Sequence, residues 1–239
     1  MKRRREMEKQ CSSELRSTID ELSLLVVMKL KHHHHHHLHH DSDPVAADDL
    51  PNNTHIPTKP FLSICSFLLH LLDKIGPTMA VLRQDVQRNI LRLEKMHESD
   101  PVLYSNVVEI LKKEASEGTS RKITSCSKAF VWLTRSLDFT ATFLDLIGND
   151  LEVNIEEAVK DAYEATLKPW HGWISSTAYR VALKLVPDNK TLIGILISEA
   201  KDRETLIDEL KSLTSLLAPF LNELHTVLET YELHKIKAT

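Results

Sequence analysis

Glycine is scarce in this chain, five residues among 239, and clear two-residue hairpin turns are absent. Sheets built on tight hairpins are disfavoured, and the long apolar-periodic segments that fill the chain predict an all-helical protein. Cysteine is scarcer still: Cys11, Cys65 and Cys126 are odd in number, far apart and outside any Cys-x-x-Cys pattern. That argues against a disulfide framework or a zinc knuckle and leads to the expectation of a reducing compartment. Excess charge of one sign is missing too, since 30 Lys and Arg oppose 34 Asp and Glu for a net charge of −4. Without a broad basic field, nucleic acid is not expected as a partner.

Long hydrophobic runs are likewise absent. "LSLLVVMKL" is too short for a bilayer, which needs about 20 apolar residues, and the charged opening "MKRRREMEK" is followed by no apolar segment of the secretory type as far as Arg16. The expectation is a soluble, cytosolic protein that touches membranes transiently from outside. No HExxH, P-loop, dinucleotide or GxSxG pattern occurs, and no repeat of fixed period stands out. A pair of carboxylates meeting in space stays open, but nothing singles one out beside Asp85. Neither an enzyme nor a cofactor nor a metal site is expected.

What is present is helical spacing. The first segment, residues 1–57, reads as an extension: a helix over 12–31, then "HHHHHHLHHDSDPVAADDLPNNTH", which is a tag, a natural histidine repeat or a metal-binding run, and by composition a flexible linker. The main domain is expected over 58–239. Its helices are predicted from Thr58 and Pro60 to Gly76, then to about Glu98, from Asp100 and Pro101 to near Gly118, and from Arg121 to Ile147 with two apolar sides. Further helices follow at about 154–167, opened by Asn154, then at 170–185, 188–199 and 202–230. Short connections make successive helices neighbours, hence two layers of helices.

Three places depart from a bland helical pattern. In "VLRQDVQRNILRLEKMHE", at about 100° per residue, Asp85, Asn89 and Arg92 fall within roughly 60° of one another beside the apolar stripe of Met79, Leu82, Val86, Ile90 and Leu93. The trio is either a solvated flank or a binding line at the edge of the core. Trp132, in "AFVWLTRSLDF", is a core residue by default. His171, in "KPWHGW", is by default a helix-start residue bonded to nearby backbone. Together, carboxylate, amide, guanidinium and indole are also the set that recognises a sugar: polar groups for the hydroxyls and a flat aromatic face for the apolar side of the ring.

"DVQRNILRLEK", "VWLTRSLDF" and "KPWHGW", in this order, together with "TKPFLSICSFLLHLLDKIG" and "ALKLVPDNK", resemble the glycolipid transfer protein family over roughly residues 58–230. The resemblance implies a two-layer sandwich of about eight helices that holds one lipid, headgroup at the surface and chains in an apolar pocket. It implies that Asp85 bonds the ceramide amide and headgroup hydroxyls, and Asn89 the sugar hydroxyls. Arg92 stands where animal members usually carry lysine. Trp132 would stack on the first sugar, His171 would bond the ceramide carbonyl, and Trp173 would sit at the membrane interface. The phosphate-headed branch of the family carries lysine at the position of Asn89 and arginine at that of Trp132, so the amide and the indole favour the sugar-binding branch. The expected function is non-enzymatic transfer of a glycosphingolipid by a monomer. The alternatives are a lipid-sensing regulator, whose partner would bind residues 1–57, and transfer of ceramide-1-phosphate.

Overall fold

The computed structural model describes residues 14–36 and 54–238, apart from the side chains of residues 28–36, 173, 174 and 199. Among the described residues there are nine α-helices and no strand: α1 (Glu14–His36), α2 (Thr58–Ile75), α3 (Ala80–Ser99), α4 (Val107–Ser116), α5 (Cys126–Asn149), α6 (Ile155–Thr166), α7 (Trp173–Leu183), α8 (Asn189–Ala200) and α9 (Arg203–Thr230). Short 3₁₀ turns at Pro77–Met79, Leu103–Ser105 and Lys168–Trp170 join some of them. Helix α6 opens at Asn154 as its sequence pattern predicts, and α8 and α9 are capped by Asp188 and Asp202; each of the three side chains accepts from a backbone N–H three residues on, that of Glu157, Thr191 and Thr205 respectively.

Helix α5 is the axle, packing on α3, α4, α6 and α9. Phe130 on α5 meets Phe61 on α2 at 5.2 Å between ring centroids, and Phe61 in turn lies 6.5 Å from Phe220 on α9. Leu133, Leu137, Leu144 and Ile147 of α5 are all buried in the same core. The thiols of Cys65 and Cys126 are free and buried. Burial pushes the Cys126 thiol up to about 12, with Glu114 adding to the effect, and raises that of Cys65 well above its usual value. Both are therefore unreactive in the folded state. Cys11 lies outside the described residues, as do residues 1–13 and 37–53 of the extension.

Several boundaries differ from the pattern-based reading. The first helix continues past residue 31 to His36, through five residues of the histidine run. Its inner face, Leu15, Leu22 and Leu25, is buried with the core of the rest, against α2 and α9. Thr58 does not cap α2; its hydroxyl donates to the Tyr104 carbonyl at 2.7 Å, which His97 Nδ1 also reaches at 3.0 Å. Asp100 and Pro101 open only a turn, because Asn106 is the cap of α4, accepting from Val108 N at 3.1 Å. Helix α5 starts at Cys126 rather than Arg121, since Glu114 and Ser125 terminate the preceding loop there. On α3, Leu82 is exposed while Val86, Ile90 and Leu93 are buried, so the apolar stripe is narrower than its spacing implies.

Leu22, 1 % exposed, gives a direct test of the weight carried by α1. Leu22→Ala is expected to lower stability by about 2–5 kcal/mol in chemical denaturation, the usual cost of a buried leucine. A loss well under about 1 kcal/mol would show that α1 contributes little to the core.

Candidate functional site

Helix α3 presents Asp85, Arg88, Asn89 and Arg92 at spacings of three and four, which places them along one side of the helix. Helix α5 faces them with Lys128 and, one turn on, Trp132. These residues, with Ile123, His171, Ser175 and Ala238, line one pocket of about 370 Å³. Five sequence-predicted residues, Asp85, Asn89, Arg92, Trp132 and His171, thus come together although they span three distant parts of the chain. Trp173 begins α7, next to the site, but its side chain lies outside the described residues.

The members differ in environment. Asp85 is open to solvent, and Arg88 donates to its Oδ1 at 2.9 Å. Asn89, one turn on, is 8 % exposed. Arg92 donates from Nη1 to the carbonyls of Ile123 at 3.2 Å and Ser125 at 3.4 Å, which ties α3 to the start of α5. Trp132 is half-buried rather than enclosed, its ring 5.7 Å from that of His171. The His171 ring also lies 5.5 Å from Tyr163, and its Nδ1 is buried with no hydrogen-bond partner among the described residues. A buried ring nitrogen without a partner is costly unless something else completes it.

Behind the pocket stands Arg135, a residue that sequence reasoning passed over. The residue is 2 % exposed, and its guanidinium donates to the carbonyls of Ile236 at 2.7 Å and His234 at 3.0 Å. Its guanidinium lies 5.0 Å from the centroid of Trp132 and 4.1 Å from that of Trp170, within cation–π range of both. The C-terminal segment is held a second time by Ala238 N donating to Trp170 O at 2.9 Å, which brings Ala238 to the pocket wall. Arg88, Lys128, Ser175 and Ala238 were also not anticipated. An arginine inside the apolar run "VWLTRSLDF" was the one visible signal among these.

Burial, helped by the Arg135 charge, lowers the His171 pKa below its usual 6.5. Burial also brings the Arg135 guanidinium down to about 10, opposed by Asp138, so it stays charged at neutral pH. Asp138 binds His225 Nε2 at 3.0 Å and raises its pKa. Among the described residues, no His, Cys, Asp and Glu converge as a metal site, and no helix is long and apolar enough to cross a membrane.

The sequence model of the family described as Glycolipid transfer protein (GLTP) matches residues 56–198. The chain belongs to the glycolipid transfer protein family. It is 48 % identical to Glycolipid transfer protein 3 of Arabidopsis thaliana and 46 % identical to Glycolipid transfer protein 2 of the same plant, each alignment covering 100 % of both chains. Among solved structures, the fold matches one titled as showing how FAPP2 selects simple glycosphingolipids using the GLTP-fold, with a TM-score of 0.70 at 24 % identity over 80 % of this chain and 93 % of that one. It also matches a mutant of Arabidopsis ACD11 (accelerated-cell-death 11) complexed with C12 ceramide-1-phosphate, with a TM-score of 0.74 at 17 % identity over 94 % and 98 % of the two chains. The fold is therefore the two-layer helical sandwich of a family of lipid transfer proteins.

The pKa values of the two histidines are displaced in opposite directions. His171, with its folded pKa depressed, supports stability fully above about pH 6.5 and loses that support as pH falls. His225, with its folded pKa raised, supports stability below about pH 6.5 and loses it as pH rises through the folded value. An NMR titration is expected to place His171 below 6.5 and His225 above it. The reverse order would contradict the two environments described.

Proposed function

We propose that this protein carries a glycosphingolipid between membranes without changing a covalent bond, holding the sugar and amide region of the lipid in the pocket between α3 and α5. The observation that carries this reading is the gathering of Asp85, Asn89, Arg92, Trp132 and His171 around a single opening. Asp85 accepts hydrogen bonds from sugar hydroxyls and the ceramide amide, Asn89 and Arg92 serve the remaining hydroxyls, and the exposed part of the Trp132 ring meets the apolar face of the sugar. His171, kept neutral by burial, completes the unfilled position at its ring nitrogen with the ceramide carbonyl when it donates. Both acyl and sphingoid chains enter the apolar interior.

The physics of transfer is differential solvation. Each CH₂ left in water costs about 0.8 kcal/mol, so a free lipid faces a high barrier that an apolar interior removes. No cofactor enters such a cycle. The carrier is cytosolic and monomeric in this reading, and meets the bilayer surface transiently through the Trp173 end of α7. The names of the two Arabidopsis relatives support glycolipid as the cargo.

Asp85→Val and Trp132→Phe separate binding from folding. Asp85 makes an exposed pair with Arg88, of a kind worth about 0.3–0.5 kcal/mol, so its loss should leave the melting temperature nearly unchanged. Transfer of glucosylceramide between vesicles should nevertheless fall about tenfold or more, as expected when a charged hydrogen-bonding group is removed. Trp132→Phe should stay folded and transfer more slowly. Full glycolipid transfer by a folded Asp85→Val protein would refute this headgroup site.

A further inference from the structure

The pocket wall is more positive than a neutral sugar needs. Arg88, Arg92 and Lys128 line it against one carboxylate, Asp85. Arg135 adds a buried positive charge behind Trp132. A neutral sugar asks only for hydrogen-bonding partners, which Asp85, Asn89 and one cation already supply.

We propose that the preferred headgroup is a sugar carrying a negative charge, a sulfate or phosphate ester, and that Lys128 is the residue that selects for it. This rests on the sugar-headgroup reading above. The three cations are not equally committed. Arg88 is paired with Asp85 at 2.9 Å. Arg92 is oriented by the Ile123 and Ser125 carbonyls, which hold the guanidinium in place without neutralising it. Lys128 is a half-buried residue at the pocket wall, and its ammonium has no hydrogen-bond or ion-pair partner among the described residues.

Lys128 is the third residue of α5, in the turn where the helix dipole disfavours a cation. The buried carboxylate that meets that turn, Glu114 of α4, is occupied by Cys126 N, Ser127 N and Ser127 Oγ at 2.6–2.7 Å. Lys128 thus gains no stabilisation from the dipole of its helix and stands at the pocket wall. It precedes Trp132 by four residues, so the two side chains share one face of α5. A sugar lying on the indole would bring a substituent on its ring edge toward the ammonium, with Arg92 on the facing helix. An anionic ester there receives charge-assisted hydrogen bonds that a hydroxyl cannot match.

The test compares vesicle transfer of galactosylceramide, 3-sulfogalactosylceramide and ceramide-1-phosphate. Phosphatidylglycerol is added to equalise the surface charge of the donor vesicles. Wild type is expected to move the sulfated glycolipid about tenfold faster than the neutral one. That ratio should shrink as salt shortens the Debye length from about 10 Å at 0.1 M to about 3 Å at 1 M. In Lys128→Gln it should fall to near one, and in Lys128→Arg it should be largely retained. A wild-type ratio near one, or a ratio unchanged in Lys128→Gln, overturns the inference while leaving the glycolipid reading intact. Equal slowing of both glycolipids by Lys128→Gln would assign the lysine to general membrane attraction and also overturn it. Movement of ceramide-1-phosphate alone would overturn the sugar reading itself, as would movement of none of the three.

Discussion

The geometry of this molecule depends on where α5 begins, and one buried carboxylate decides that. Glu114, at the end of α4, accepts from the backbone of Cys126 and Ser127 and from the Ser127 hydroxyl, satisfying N–H groups that an α-helix leaves unpaired at its start. Ser125 caps the same turn by accepting from Lys128 N. The register of α5 follows from these bonds, and with it the positions of Lys128, Trp132 and Arg135. A shift of one residue would rotate each of them by about 100°.

Arg135 makes the second half of the arrangement. A charge at 2 % exposure is expensive to bury, and two carbonyls of the C-terminal segment together with two indole faces offset that cost. The same contacts hold Trp132 from behind and bring the end of the chain to the rim. The site is thus preorganised by groups that do not themselves line it. A headgroup bound as proposed would require little reordering of Trp132, and such reordering is one of the costs of binding.

Much of this was legible in the sequence, for reasons that differ by element. Apolar periodicity located the helices, and Asn154 located the start of α6, because both signals are local; the caps Asp188 and Asp202 emerged only with the structure. The line of Asp85, Asn89 and Arg92 was legible because one helix carries it. Its meeting with Trp132 and His171 rested on resemblance, since contacts between residues tens of positions apart leave no periodic trace. Helix α1 was read as a helix, but its apolar face says only that it needs a partner; that α2 and α9 supply one is a property of the packed chain. Arg135 was hidden for the same reason, its partners lying about 100 residues away. The true starts of α4 and α5 were missed because Asn106 and Glu114 act through side-chain bonds that composition does not reveal.

In the function proposed above, the pocket between α3 and α5 holds the headgroup of one intact glycosphingolipid. Native mass spectrometry of the protein, equilibrated with vesicles containing equal amounts of glycosylated ceramide and ceramide-1-phosphate, tests it most directly. A one-to-one complex is expected, its added mass that of an uncleaved glycosylated ceramide, and the complex should be lost in Asp85→Val. A complex with ceramide-1-phosphate alone, a bound cleavage product, or no bound lipid would contradict it.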